Sequence, residues 1–257
     1  MLPKCSVYKI GLKDYTSVWK YQKALFDHVL WSRKSISPAN FEADALIVTE
    51  HPPVYTIGKG GGLDNIKFNF KDECMRHPEV YRVERGGEVT YHGPGMLMFY
   101  PILDLNRHQK SLRWYVNSIE DVIIRSLHKY GIHGQRLDIN NGVWIGDNKV
   151  SAVGISVSHW ITFHGFALNV NCDMRYFEDI VPCGITDSGK GVCSLSETNP
   201  LISKEAVTNT VIKSFSEVFN VDVVHPHDAQ GDLDKILLKF PPKDLEPLRK
   251  YDIKARC

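Results

Sequence analysis

The residues whose types and spacing can do chemistry fall in three places. In RGGEVTYHGPG (residues 85–95), five of eleven residues are glycine or proline. That lets backbone approach a ligand closely, while Arg85 and His92 supply polar handles. The spacing fits neither a dinucleotide fingerprint nor a Walker loop, and a hairpin turn with an incidental arginine accounts for it equally well. In Pro182-Cys183-Gly184 a thiol sits between two residues that interrupt regular structure. This places it on a loop, where a nucleophile can meet substrate. A free cysteine is more often a small buried hydrophobe, so position alone leaves Cys183 open.

A thiol attacks as thiolate and needs a base or a cation beside it. Lys149 stands where a hairpin re-enters the apolar run VSAVGISV. Desolvation there lowers an amine's pKa and lets it carry protons to and from sulfur. An ordinary solvated lysine beside a turn is the plain alternative. His164, in FHGFALN, competes for the same role, and His92 competes less strongly. Each histidine precedes a glycine, so either can line a cleft floor without ionising.

Elements to carry these residues are readable from periodicity. Residues 14–31 place Tyr15, Val18, Trp19, Leu25, Phe26, Val29 and Leu30 at helical spacing, with Asp14 as the cap. ALIVT (45–49) and VYTIG (54–58) read as strands split by His51-Pro52-Pro53. YRVE (81–84) and MLMFYPI (96–102) read as two more, with residues 85–95 a loop between them. Leu112, Val116, Ile119, Ile123, Leu127 and Tyr130 mark a second long helix stopped by Gly131. GVWIGDNKVSAVGISV (142–157) reads as a hairpin turning at Gly146-Asp147-Asn148, and ITFHGFALNV (161–170) as a further strand. Ser203 caps a helix bearing Val207, Val211, Phe215 and Phe219.

Hairpin pairing with helices at wide intervals predicts an α+β chain: a single domain over residues 1–224, built on a mixed β-sheet flanked by helices. Residues 225–257 read as a basic C-terminal extension. From 235 to 256 there are seven basic residues against three acidic ones, interrupted by Pro241, Pro242 and Pro247. An extended, solvated appendage is expected there.

Composition narrows the function. A net charge of +1 over 257 residues leaves no footprint for neutralising many phosphates, so nucleic acid is not an expected partner. No run approaches the ~20 apolar residues of a bilayer span. Residues 1–15 hold neither a signal core nor an Arg-rich transit pattern, so a mature soluble protein with no membrane partner is expected. Cys5, Cys74, Cys172, Cys183, Cys193 and Cys257 form no C-x-x-C pair, which predicts free thiols in a reducing compartment and no zinc site. With no heptad or exposed apolar stripe, a monomer is expected.

Taken in order, RGGEVTYHGPG, YPILDL, GVWIGDNKVSAVGI, ITFHGFALNV and IVPCGI resemble the lipoyl(octanoyl) transferases, also called octanoyl-acyl carrier protein:protein N-octanoyltransferases. The similarity runs from about Val7 to about Val224, takes in Gly11 and the helix with Tyr15 and Gln22, and leaves the basic tail unmatched. The resemblance implies a biotin/lipoate protein ligase-like fold. It also implies transfer of octanoyl from octanoyl-acyl carrier protein to a lysine of lipoyl domains, such as those of 2-oxoacid dehydrogenase complexes and the glycine cleavage H protein. This is the first step of endogenous protein lipoylation, and no cofactor is implied.

By the same resemblance, Cys183 is the acyl-thioester nucleophile and Lys149 its activator. Substrate is held at Arg85, Gly86, Gly87, Glu88, Val89, Thr90, Tyr91 and His92, at Ala152, Val153 and Gly154, and at Gly165, Phe166 and Ala167, with His164 lining the pocket. Family members act in bacterial cytoplasm, or in mitochondria or plastids, so the compartment follows the source. Two departures stand out: Met96 replaces a frequent glutamine, and KVSAVG replaces KIAAIG. The methionine is expected to alter the acyl pocket or a hydrogen bond near it. The rivals are an ATP-dependent lipoate or biotin ligase, which would not need Cys183, and a non-catalytic binder of acyl chains or carrier proteins.

Overall fold

The computed structural model describes residues 2–35, 44–68, 77–186, 189–246 and 248. Cys74, Cys257 and the basic residues Arg249, Lys250, Lys254 and Arg256 lie outside the described residues.

Strand β1 (Lys4–Leu12) leads into helix α1 (Tyr15–Ser35), which Asp14 starts by accepting the Ser17 N–H at 2.8 Å. Next come β2 (Asp44–Glu50), β3 (Val54–Ile57), β4 (Glu79–Arg82), β5 (Val89–His92) and β6 (Met96–Ile102). Helix α2 (Leu112–His128) is capped by the Ser111 hydroxyl, and its chain reverses through Gly131 at φ +70°. The hairpin β7 (Gly142–Ile145) and β8 (Asn148–Ser158) turns at Gly146, φ +57°, followed by β9 (Ile161–Asn169). The chain continues through β10 (Gly191–Val192), α3 (Leu195–Thr198), α4 (Lys204–Phe219) capped by Ser203, β11 (Asp222–Val224) and α5 (Ala229–Lys239).

Among the described residues the strands form two sheets rather than one. The larger runs β10-β8-β9-β6-β2-β1-β11 with β7 beside β8, and the smaller runs β4-β3-β5. The centre of the large sheet is antiparallel, while β1 pairs in parallel with both β2 and β11. Alternation along β2 shows how it is covered. Leu46 and Val48 face a core shared with Tyr115, Ile119 and Ile123 of α2 and Val211 and Phe215 of α4. Ala45 and Ile47 face the opposite core, with Val18 and Leu25 of α1 and Tyr55 and Tyr91 of the small sheet. A strand buried on both faces reads as an unbroken apolar run, which is why ALIVT shows no polar side.

Two expectations are corrected. The stretch 85–95 is not all loop, because Val89–His92 forms β5, antiparallel to β3. Its glycines end the strand on both sides without preventing it. The tail is not simply an extended appendage. Asp228 accepts the Gly231 N–H and starts α5, whose Leu233 is buried and whose Asp234 receives the Tyr21 hydroxyl of α1 at 2.6 Å. Further on, the Leu248 N–H donates to the Val80 carbonyl of β4 at 2.7 Å. Residue 235 lies inside this helix, and the apolar stripe Leu233, Ile236, Leu237 docks it on the core.

Candidate active site

A cavity of about 270 Å³ opens where the loop before β5 lies across β8 and β9. Gly154 and Gly165 sit opposite each other in the β8–β9 register. A Cβ on Gly154 would come 3.0 Å from Arg85 Cδ, and one on Gly165 would overlap the Phe99 carbonyl oxygen. Bare backbone at these points therefore admits Arg85 on one side and lets β9 close on β6 on the other. The Gly86 N–H donates to the Ile155 carbonyl at 2.9 Å and ties the two sheets together.

Most of the residues expected to hold substrate line this cavity. They are Arg85, Gly86, Gly87, Glu88, Thr90 and His92 from the glycine-rich stretch, Ala152, Val153 and Gly154 from β8, and His164, Gly165, Phe166 and Ala167 from β9. Lys149 and Cys183 line it too. Val89 and Tyr91 do not: the period of two along β5 sends them into the core, where Tyr91 stacks on Tyr176 with centroids 4.6 Å apart. Met96 is likewise a core residue outside the lining, and Met98, one alternation further on, faces the cavity.

Arg85 is buried, yet its hydrogen bonds go to neutral oxygens: the Thr56 carbonyl at 2.7 Å, Thr56 Oγ1 at 2.8 Å and the Gly86 carbonyl at 2.9 Å. Because Thr56 Oγ1 accepts from Arg85, its own proton is free to go to His92 Nε2, 2.9 Å away. That makes His92 the Nδ1–H tautomer, and among the described residues Nδ1 has no partner. Burial, with His51 and Arg85 nearby, holds the His92 pKa well below the ordinary imidazole value, so the ring is neutral.

His164 is tied elsewhere. Its Nε2 lies 3.2 Å from Glu84 Oε2, a carboxylate that also accepts the Trp19 indole N–H at 3.0 Å. Burial lowers the His164 pKa and Glu84 opposes the fall, so a neutral ring donates its Nε2–H to Glu84. Lys149 is 3% exposed, and burial lowers its pKa against the opposing pull of Cys183 and Glu120. Its Nζ donates to Asn140 Oδ1.

Cys183 holds a left-handed conformation, φ +55°, between Pro182 and Gly184. The Val181 N–H donates to the Asn65 carbonyl at 2.8 Å, and Asn140 Nδ2 donates to the Cys183 carbonyl at 3.2 Å, which secures the loop. Among the described cysteines, Cys5, Cys172 and Cys193 are buried, and burial pushes Cys172 and Cys193 up to about 12. Cys183 is the one that is only half-buried, and it shares the cavity with the Arg85 guanidinium and the Lys149 amine.

Residues 14–216 match the family described as the lipoyl protein ligase A/B catalytic domain. An octanoyltransferase of Nostoc sp. (strain PCC 7120) is 48% identical over 220 residues, which cover 86% of this chain and 94% of that protein. The chain belongs to the octanoyltransferase family. It is an acyltransferase.

A chloroplastic octanoyltransferase of Arabidopsis thaliana is 40% identical over 232 residues, covering 86% of this chain and 80% of its own. The octanoyltransferase fold extends to distant lipoate ligases. A lipoate-protein ligase A solved with ATP superposes with a TM-score of 0.66 at 15% identity, covering 93% of this chain and 95% of that one. A bi-partite lipoate protein ligase from Thermoplasma acidophilum gives 0.65 at 16%, covering 93% and 92%. The lipoate ligase-like α+β fold is thereby established.

The octanoyltransferase cavity also contains residues that sequence reasoning missed: Tyr15, Met98, Tyr100, Asn140, Asn141 and Ile155. Tyr15, the first residue of α1, stacks on His92 with centroids 5.7 Å apart, and among the described residues its buried hydroxyl has no partner. Tyr100 donates its hydroxyl to His51 Nε2 at 2.8 Å, since His51 Nδ1–H serves the Lys13 carbonyl at 2.7 Å. Tyr15 and Tyr100 carried no local signal beyond membership of apolar patterns. Asn140 and Asn141 lie just before the hairpin, outside every motif that the sequence singles out.

Proposed function

We propose that this member of the octanoyltransferase family moves an octanoyl group from octanoyl-acyl carrier protein to a lysine of a lipoyl domain through a thioester on Cys183. The observation that carries the reading is the meeting of Cys183, a half-buried thiol, with the buried amine of Lys149 in one cavity. Asn140 is bonded to both residues.

In the first half-reaction neutral Lys149 takes the Cys183 proton, and the thiolate attacks the carbonyl carbon of the carrier thioester. The tetrahedral adduct collapses by breaking the bond to the carrier sulfur. That sulfur receives the proton from Lys149 and leaves as a thiol. In the second half-reaction the free amine of the acceptor lysine attacks the Cys183 thioester. Lys149 takes a proton from the attacking nitrogen and returns it to the departing Cys183 sulfur. Backbone N–H groups of the glycine-rich stretch steady the oxyanion, an effect typically worth about 3–4 kcal/mol per donor. An amide is more stable than a thioester, so the sequence runs downhill without separate activation of the acid.

Lys149 rather than His164 fits the role of base. Burial makes its amine easier to deprotonate, and it faces Cys183, whereas His164 spends its Nε2–H on Glu84. Ala152, Val153 and Phe166 supply apolar wall for the chain.

The test is intact-protein mass spectrometry after mixing with octanoyl-acyl carrier protein, followed by an unmodified lipoyl domain. Octanoyl mass appears on Cys183 and then departs to the acceptor. Full transfer by Cys183→Ser, or an absolute requirement for ATP, would favour ligase chemistry and overturn the reading.

A further inference from the structure

We infer that Asn140 is the positioning residue of the proposed pair, holding the Lys149 amine with its side-chain carbonyl and the Cys183 loop with its amide; this rests on the transfer reading above. The orientation of the amide follows from its partners. A backbone carbonyl only accepts, so the NH₂ end must face Cys183, 3.2 Å away, which leaves Oδ1 for the Lys149 amine.

Asn140 is itself held in place. Two residues on, the Gly142 N–H donates to Glu120 Oε1 of α2 at 2.8 Å, and Arg136 Nε holds the other carboxylate oxygen at 2.8 Å. Gly142 has φ +143°, and a Cβ there would overlap Lys149 Cε and the Ser151 carbonyl oxygen. The entry to β7 is therefore pinned to α2 and laid directly across the lysine stem, with Asn140 at its outer end.

The chemistry needs such a contact. A neutral amine has two N–H bonds and one lone pair. Committing one N–H to Asn140 stops free rotation about Cε–Nζ and gives the lone pair a fixed direction. The ammonium formed after proton transfer donates the same bond, so the contact survives the whole proton cycle. The other half of the side chain steadies a residue that holds φ +55° without being glycine.

The test reads the ionisation of Cys183 without any acyl donor. Iodoacetamide alkylation of the Cys183 peptide is followed against pH by mass spectrometry in wild type, Asn140→Ala, Lys149→Met and the double variant. Without its acceptor the lysine carries less positive charge, so Asn140→Ala should move the alkylation midpoint up by about one pH unit, a roughly tenfold slower reaction near neutrality. With Lys149→Met already in place, Asn140→Ala should add no shift. An unchanged midpoint, or the same shift with and without Lys149, would overturn the inference. Should the alanine variant fail to fold by thermal melting, Asn140→Leu takes its place. It keeps the volume and lacks the acceptor, so the midpoint should again rise, and an unmoved midpoint would again refute the role. If wild type never gains octanoyl mass on Cys183, the transfer reading alone fails, because the alkylation cycle does not depend on it.

Discussion

Thr56 engages the Arg85 guanidinium with both of its oxygens, the carbonyl at 2.7 Å and Oγ1 at 2.8 Å. The same hydroxyl reaches His92, so one β3 residue sets both a cation and a tautomer at the cavity wall. Thr56→Val keeps the shape and removes the hydroxyl, leaving His92 Nε2 without its donor. The expected cost is about 1–3 kcal/mol of stability, read by urea unfolding. Octanoyl transfer should slow as well, because Arg85 and His92 lose their shared anchor at the cavity wall. Unchanged stability and rate would show that the hydroxyl positions nothing.

Gly165→Ala tests the contact between β9 and β6. The added methyl would overlap the Phe99 carbonyl oxygen and come 2.6 Å from Pro101 Cδ, with rigid groups on both sides. Overpacking of this kind costs about 1–3 kcal/mol and should lower Tm, whereas a neutral effect would mean that the strands separate freely.

Lys149 links stability to alkaline pH. Its folded pKa lies below the usual lysine value of about 10.4, so between the two values the unfolded chain binds more protons than the native one. Native stability should therefore rise with pH across that window. Lys149→Met should flatten the slope measured from neutral pH to about 10 while abolishing transfer. A slope identical to that of wild type would place the lysine in solvent.

His51 makes the opposite end of the range informative. Burial brings its pKa down to about 4, although the bond it donates to the Lys13 carbonyl favours the charged ring. In the unfolded chain it protonates near 6.5, so its contribution is complete above that pH and is lost between about 6.5 and about 4, a change of roughly 3 kcal/mol. His92, also held neutral by burial, acts in the same direction. His51→Asn should weaken this acid dependence in pH-resolved denaturation. A variant whose loss over this window is as large as that of wild type would contradict the assignment.

The C-terminal helix should matter to the catalytic fold, because Leu233 is 1% exposed and packs in the core beneath α1. Leu233→Ala should cost about 2–5 kcal/mol by denaturant unfolding. A cost near zero would make α5 a bystander.

Much of the local structure is legible from sequence alone because its causes are local. Asp14 and Ser203 cap helices with their own side chains, Gly146 turns a hairpin between residues that alternate, and Gly131 reverses the chain after α2. The cysteine in PCGI and the lysine in KVSAVG stand out through the company of five ordered blocks.

Other features depend on partners distant in sequence. Nothing near Val89–His92 says that β3 will pair with it and draw two strands into a sheet of their own with β4. The alternation that turns Thr90 and His92 to the cavity, and Val89 and Tyr91 to the core, exists only once that strand forms. Asn140 belongs to no motif in the sequence, and only folding brings it against Cys183, 43 positions away. The charge state of Lys149 is likewise a property of the folded cavity, since burial, not residue type, lowers its pKa. Sequence thus determined which reactive groups are present and the elements that carry them. Tertiary structure decided which groups meet, which lose water and which proton each one keeps, because hydrogen bonding and desolvation are set by neighbours in space.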